Sequence, residues 1–317
     1  TIGCLAPPSP RPDSSYPLLV YLHGGIGTTR TDKGAEAYSM VRPLADTFDL
    51  YLASPSGNRR APWWSPLGLS RILQTLRYLT LHYPIDPDKI FLIGVSDGAT
   101  GCYAAANTIP SPFAGFVAVS GFGGMLPRLG MPLVPGNLMQ RPIYNVNAGR
   151  DRLYPIEHVT RFLDRLTEAG VRIERRIYPE EQHGFDYRDR ELGTIANLIR
   201  RWSRPRRNGL SWTCVPSYPN APDNLPVLRP QREQAQPATI SGYWRADTLM
   251  VRCSGIAEAA VHFPTQPPEG ALVSINGSAG QKLGAGPQPI YLMFRNMVNR
   301  CLPVVDCEST YRLPIDG

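Results

Sequence analysis

Gly94-Val95-Ser96-Asp97-Gly98 sets a serine among small residues, between the apolar run KIFLIGV and the stretch DGATGCYAAA. Small neighbours let a backbone turn sharply from strand into helix, lifting the hydroxyl clear of the sheet as a nucleophile. An ordinary strand-to-helix turn with a serine N-cap would read similarly; the apolar strand before and the helix after favour the nucleophile. A serine hydroxyl attacks a carbonyl only when a base takes its proton. His183, in EEQHGF, lies between the last expected strand and the last expected helix, where such a base belongs. The other histidines fit less well: His82 ends a helix, His158 lies inside one, His262 is in a β-rich stretch and His23 opens HGG upstream of the serine. An imidazole base needs a carboxylate to fix its tautomer, and Asp151 in NAGRDRLYP directly follows the strand PIYNVN. Asp164 and Glu168 fall on a solvated helix face, and Asp186 is too close in sequence to His183 to reach across a site. The remaining need is for donors aimed at the developing oxyanion. His23-Gly24-Gly25 follows the first apolar strand, so the N–H of Gly25 or Ile26 is expected to pair with that of Asp97.

These residues require elements that converge on one edge of a sheet. From Pro17 to about Arg201, short apolar runs alternate with amphipathic stretches. PLLVYLHG, DLYLASP, KIFLIGVS, GFVAVSG, RPIYNVNAG and VRIERRIYP read as strands. AEAYSMVRPLADTF, GLSRILQTLRYLTLHY, SDGATGCYAAANTI, PIEHVTRFLDRLTEAG and RELGTIANLIRRWSR read as helices. In the second helix Ile72, Leu73, Leu76, Leu79 and Leu81 are expected on or near one face, and Gly170 should cap the fourth. Strict alternation predicts an α/β fold, a mostly parallel sheet with helices on both faces. After Ser203 a polar, proline-laden segment gives way to ATISGYWRA, TLMVRCSG, AAVHFP, ALVSIN and IYLMFRN. Short β-rich runs broken by Gly, Pro and Asn predict a small all-β domain, sandwich or barrel. The expected division is 1–205 for the α/β part and 206–317 for the β part.

The 317 residues, 42% hydrophobic and 19% charged, suit one large and one small packed domain. No apolar run approaches the roughly 18 residues needed to span a bilayer. The net charge of +7 is almost wholly arginine. Its dense cluster, Arg200, Arg201, Arg204, Arg206 and Arg207, reads as an anionic-partner patch or as cations at a helix C-terminus followed by a solvated linker. Without aromatic interleaving or a nucleic-acid motif, no nucleic-acid partner is expected. Six cysteines are spaced unlike any zinc site. Cys102 is expected as a buried free thiol. Disulfides among Cys214, Cys253, Cys301 and Cys307 would imply an oxidising compartment. Together with the start at Thr1 and the appended β domain, this gives an expectation of a secreted or periplasmic protein.

The pieces HGG at 23, GVSDG at 94, GRDRLYP at 149 and EQHGF at 182 resemble the α/β-hydrolase superfamily over residues 17–203. The resemblance lies with dienelactone-hydrolase, phospholipase/carboxylesterase and polyhydroxybutyrate-depolymerase-like esterases and with prolyl-oligopeptidase-type catalytic domains. It implies a serine hydrolase with Ser96, His183 and Asp151 as its triad, cleaving carboxylic esters without metal or organic cofactor. WRADTLMVRCSGIAEAAVHFP followed by ALVSING resembles a β module appended to bacterial members, whereas the usual opening hairpin is not found before Pro17. Two loops are candidates for the substrate pocket: SGNRRAPWWSPLG, with Trp63 and Trp64, and GFGGMLPRLGMPLVPGNLMQ, with Phe122. Tyr154, in GRDRLYP, is a further candidate. Lining a cleft for an apolar or aromatic ester and packing against the β domain are equally open readings of the two loops. A peptidase on the same triad is a second enzymatic reading. A surface- or polysaccharide-binding module on a hydrolase scaffold is a third, with Tyr243 and Trp244 as a sugar platform or as sandwich core.

Overall fold

A computed structural model describes residues 2–7, 11, 13–37, 41–205, 210–218, 227–230, 236–262, 269–282 and 310–312. The chain forms two compact units, residues 1–107 with 112–205 and residues 108–111 with 206–317.

In the first unit the elements run β1 (Ile2–Leu5), β2 (Tyr16–Leu22), α1 (Lys33–Ala37), α2 (Arg42–Phe48), β3 (Tyr51–Pro55), α3 (Pro66–His82), β4 (Ile85–Val95) and α4 (Asp97–Thr108). There follow β5 (Gly115–Val119), a 3₁₀ turn at Gly123–Leu129, α5 (Pro135–Leu138), β6 (Ile143–Ala148), α6 (Ile156–Glu168), β7 (Ile173–Tyr178) and α7 (Arg188–Arg201). The strands make one sheet in the order β1-β3-β2-β4-β5-β6-β7. Every pairing from β3 to β7 is parallel, and only β1 runs antiparallel at the edge. The stretch before Pro17, where the sequence shows no opening hairpin, thus contains a short edge strand, whose pairing with β3 satisfies backbone groups that an extended tail would leave to water.

Residues Leu18 to Leu22, Leu52, Ala53 and Phe91 to Ile93 are almost completely buried, as expected where helices cover both faces of a parallel sheet. Helix α3 begins at Ser65, whose hydroxyl accepts the Gly68 N–H at 3.0 Å, with Pro66 in the first turn. Its buried stripe is Leu69, Ile72, Leu73, Leu76 and Leu79. Leu81 departs from the expectation and is 69% exposed, because two residues past Leu79 is about 200° around a helix with 3.6 residues per turn. Helix α6 stops where Gly170 takes a left-handed φ of +86°. At the end of α7 the Lys89 ammonium donates to the carbonyls of Ile199, Arg200 and Trp202 at 3.3, 2.9 and 2.7 Å, a cation at the negative end of the helix. Arg201 pairs with Glu174 through two contacts and Arg204 with Asp88, while Arg200 lies over the Phe48 ring. Those three arginines of the basic cluster have partners inside this unit; Arg206 and Arg207 lie outside the described residues.

The second unit holds β8 (Leu210–Thr213), β9 (Val227–Pro230), β10 (Thr239–Arg245), β11 (Thr248–Ser254), β12 (Ile256–His262), β13 (Leu272–Ile275), β14 (Gln281–Lys282) and β15 (Thr310–Arg312). They form a five-stranded sheet, β14-β13-β11-β10-β8, and a three-stranded sheet, β15-β12-β9. Alternate residues of the first sheet, Trp212, Ile240, Leu249, Val251 and Val273, share a core with Ile256 and Ala259 of the second. Tyr243 points away from that core and is 61% exposed, whereas Trp244 packs against it. The expected strand IYLMFRN lies outside the described residues, as do Cys301 and Cys307. Cys4, Cys102, Cys214 and Cys253 are free thiols, Cys102 among them buried as expected.

Candidate active site

Four loops meet at the C-terminal ends of neighbouring strands. The register aligns Leu22 of β2 with Gly94 of β4, Val95 with Val119 of β5, and Ala148 of β6 with Tyr178 of β7. HGG, Ser96, Asp151 and His183 therefore leave the sheet at nearly one level.

Ser96 stands between β4 and α4 with φ at +57°, a left-handed conformation that a side chain adopts only at a cost. The surrounding backbone enforces it. The Ser96 N–H donates to the Val119 carbonyl at 2.9 Å, and the Ser96 carbonyl accepts the N–H groups of Ala99 and Thr100. A Cβ at Gly98 would overlap the Leu22 carbonyl, so only glycine lets α4 press this close to β2.

His183 connects the serine to the acid. Its Nε2 is 3.1 Å from Ser96 Oγ and its Nδ1 is 2.8 Å from Asp151 Oδ2. The Asp151 side chain is wholly buried and that of His183 is 23% exposed. The second carboxylate oxygen, Oδ1, accepts the N–H groups of Leu153 and Tyr154 at 2.8 and 2.9 Å, which fixes the carboxylate plane. Two backbone bonds fasten the loops to each other, Gly149 N–H to the Tyr178 carbonyl and Arg150 N–H to the Glu181 carbonyl. Further out, the buried carboxyl of Glu191 on α7 accepts the hydroxyls of Tyr144 and Tyr178 at 2.8 and 2.6 Å, and the Tyr178 ring meets Phe185 just beyond His183.

The HGG loop rests on a buried polar assembly. His23 is 2% exposed; its Nδ1 meets the Gly24 carbonyl at 2.9 Å and its Nε2 accepts the Gly57 N–H at 3.0 Å. Burial, chiefly, holds this imidazole below its ordinary pKa, and the Lys33 charge acts in the same direction. The indole N–H of Trp63 donates to the His23 carbonyl at 2.9 Å, its ring edge-on to the imidazole. Trp63 is fully buried, which corrects its expected place in a substrate pocket. Gly57 and Gly101 leave room for the indole, and its N–H has its acceptor inside. Trp64 is half-buried.

The oxyanion donors also need a correction. The Ile26 N–H donates to Asp97 Oδ2 at 2.9 Å, so it is already engaged by a carboxylate. Gly25 remains as the loop's expected donor, to act with the N–H of Asp97, the first residue of α4, where a helix leaves N–H groups without intrahelical acceptors. Phe122 and Tyr154 come together: their rings meet edge to face at 6.0 Å, and the Tyr154 ring lies tilted at 5.6 Å from the His183 ring. The Tyr154 hydroxyl interacts with those of Thr100 and Ser96, and burial, ahead of the Asp97 charge, raises its pKa. Among the described residues no cluster of His, Cys, Asp and Glu could hold a metal ion, and no helix is long and apolar enough to cross a membrane.

Sequence reasoning missed Lys33, Glu191 and the Asp97 side chain. Only Glu191 carries a signal, since it falls on the same helical face as Ile195, Leu198 and Ile199.

A parallel sheet with a strained serine after its central strand, and a histidine and acid after later strands, is the α/β-hydrolase arrangement. Residues 67–203 match the phospholipase/carboxylesterase family. Carboxylesterase SOBER1 of Arabidopsis thaliana is 27% identical over 159 residues, covering 48% of this chain and 66% of that protein. Poly(3-hydroxyalkanoate) depolymerase C of Paucimonas lemoignei is 30% identical over 121 residues, 34% of this chain and 28% of the depolymerase. The chain thus spans just under two thirds of the first relative and about a quarter of the second. Among solved structures, the acylaminoacyl peptidase of Pyrococcus horikoshii superposes with a TM-score of 0.51 at 13% identity, over 65% of this chain and 40% of the peptidase. The chain has the α/β-hydrolase fold, and over residues 67–203 it resembles the phospholipase/carboxylesterase family.

Proposed function

We propose that this protein hydrolyses carboxylic esters through an acyl-enzyme on Ser96. The single observation that carries the reading is the unbroken contact from Ser96 Oγ through His183 to buried Asp151. His183 Nε2 takes the Ser96 proton as Oγ bonds to the ester carbonyl carbon, and Asp151 stabilises the imidazolium. The tetrahedral oxyanion is received by the N–H groups of Gly25 and Asp97. On collapse the carbon–oxygen bond to the alcohol breaks and His183 gives its proton to the leaving oxygen. Water then attacks the acyl carbon, His183 accepting one of its protons, and the acid leaves as Ser96 Oγ regains a proton. Phe122 packs on Tyr154 and Tyr154 on His183, and together they narrow the space beside the nucleophile, which favours short acyl groups. Export belongs to the same reading, resting on the separate β unit; finding the protein only in the cytosolic fraction would overturn it.

The test is hydrolysis of p-nitrophenyl esters from acetate to octanoate by the wild type and by Ser96→Ala. We expect turnover highest on the short esters and a loss of at least about a hundredfold in the variant. A wild type inactive on every ester but active on acylated peptides would replace the esterase reading with a peptidase one.

A further inference from the structure

The loop after β2 contains two successive peptide groups with different electrostatic surroundings. The Lys33 ammonium contacts both carbonyls, Gly24 O at 2.9 Å and Gly25 O at 2.7 Å. In the second peptide the opposite end is also held, since the Ile26 N–H donates to the Asp97 carboxylate at 2.9 Å. That peptide is fixed between a cation and an anion. In the first peptide the cation bonds the Gly24 carbonyl, and its other end is the Gly25 N–H, the donor left for substrate. The peptide lies against the nucleophile: a Cβ on Gly24 would stand 3.0 Å from Ser96 Cβ and 3.6 Å from Oγ. Gly25 has φ at +62°, and a Cβ there would come within 2.7 Å of Lys33 Nζ. Glycine at this position is therefore what lets the ammonium reach the loop.

A hydrogen bond to a peptide carbonyl withdraws electron density along the conjugated amide and strengthens the donor at its other end, and a charged partner does so more. Lys33 also opens α1, where a cation gains nothing from the helix dipole; its position is explained by the loop. We propose that Lys33 is a positioning residue for oxyanion stabilisation, its ammonium polarising the Gly24–Gly25 peptide so that the Gly25 N–H binds the developing negative charge more strongly. Asp97 serves the same loop from the inner side, keeping Ile26 turned away from the substrate carbonyl. This inference rests on the acyl-enzyme reading above.

The test compares wild type, Lys33→Met, Lys33→Gln and Lys33→Arg on p-nitrophenyl acetate, with Ser96→Ala as the reference for the reading itself. We expect Lys33→Met to lower kcat about tenfold, a fraction of what removing a whole oxyanion donor costs, with KM within about twofold of wild type because ground-state binding is untouched. Affinity for an aliphatic trifluoromethyl ketone, which adds to the serine and carries an oxyanion, should fall in parallel. Lys33→Arg should restore most of both, and Lys33→Gln, a donor without charge, should not. Independently of turnover, the Gly25 amide proton should move upfield in Lys33→Met relative to wild type. If Lys33→Met fails to fold, the same pattern is read from Lys33→Gln. A folded uncharged variant with kcat within twofold of wild type, or with an unmoved Gly25 amide, overturns the proposal while leaving the acyl-enzyme reading in place. Retained hydrolysis in Ser96→Ala overturns the acyl-enzyme reading instead.

Discussion

Ser96 stores backbone strain where chemistry is proposed to occur. Its φ of +57° is a conformation that glycine adopts freely and an L side chain does not. Ser96→Gly should therefore raise stability by about 1 kcal/mol while abolishing ester hydrolysis, with denaturant unfolding and turnover measured on the same preparation. A drop in stability would mean that the hydroxyl's own contacts outweigh the strain. His23 gives a pH dependence of opposite origin. Burial keeps its folded pKa below the ordinary value, so as pH falls through about 6.5 the unfolded chain takes up a proton that the folded chain still refuses. Stability contributed by the neutral ring is complete above that pH and declines below it. Melting temperatures between about pH 7.5 and 5 should fall more steeply for wild type than for His23→Asn; parallel curves would count against the assignment. The positions of Ser96, Asp151 and His183 at the ends of strands were legible in the sequence because each follows a run readable as a strand, apolar for Ser96 and Asp151 and rich in β-branched residues for His183. The capture of the Ile26 N–H by Asp97 was not, since it depends on two loops 71 residues apart meeting in register.

At the scale of elements, α7 is tied to β6 and β7 by one buried carboxyl serving two phenols. Removing it strands the Tyr144 hydroxyl in the interior, and an unpartnered buried polar group costs more than the bond itself returned. Glu191→Leu should thus destabilise the fold by about 2 kcal/mol in chemical denaturation. Because α7 follows the His183 loop, kcat on short esters should fall with little change in KM. A variant as stable as wild type would show that the apolar replacement fills the site without loss. The alternation of strands and helices was readable because parallel strands buried on both faces leave unbroken apolar runs such as KIFLIGV. Strand β1 was not readable: four residues, IGCL, carry no period, and the edge position is settled only by their pairing with Leu52 to Pro55 of β3. Trp63 illustrates a related limit. Two adjacent tryptophans announce apolar surface but not which of them turns inward, and that is decided by the room left at Gly57, just upstream, and at Gly101, on another element.

For the whole molecule, each unit carries its own core, one around the seven-stranded sheet and one between the two smaller sheets. A chain ending at Pro205 should fold cooperatively and retain hydrolysis of short p-nitrophenyl esters within about threefold of the full chain, by circular dichroism and turnover, since an independent core is what a domain needs to fold alone. If activity is kept while retention on an insoluble polyester film is lost, the β unit is a binding module. If the truncated chain aggregates, the β unit contributes to the stability of the first.

The Trp63 indole is sealed from water and bonded to His23, with the imidazole edge at its ring. A protonated imidazole quenches indole fluorescence far more than a neutral one. The emission lost on mutating Trp63→Phe is therefore an optical meter of the charge beneath the HGG loop, readable without substrate or label.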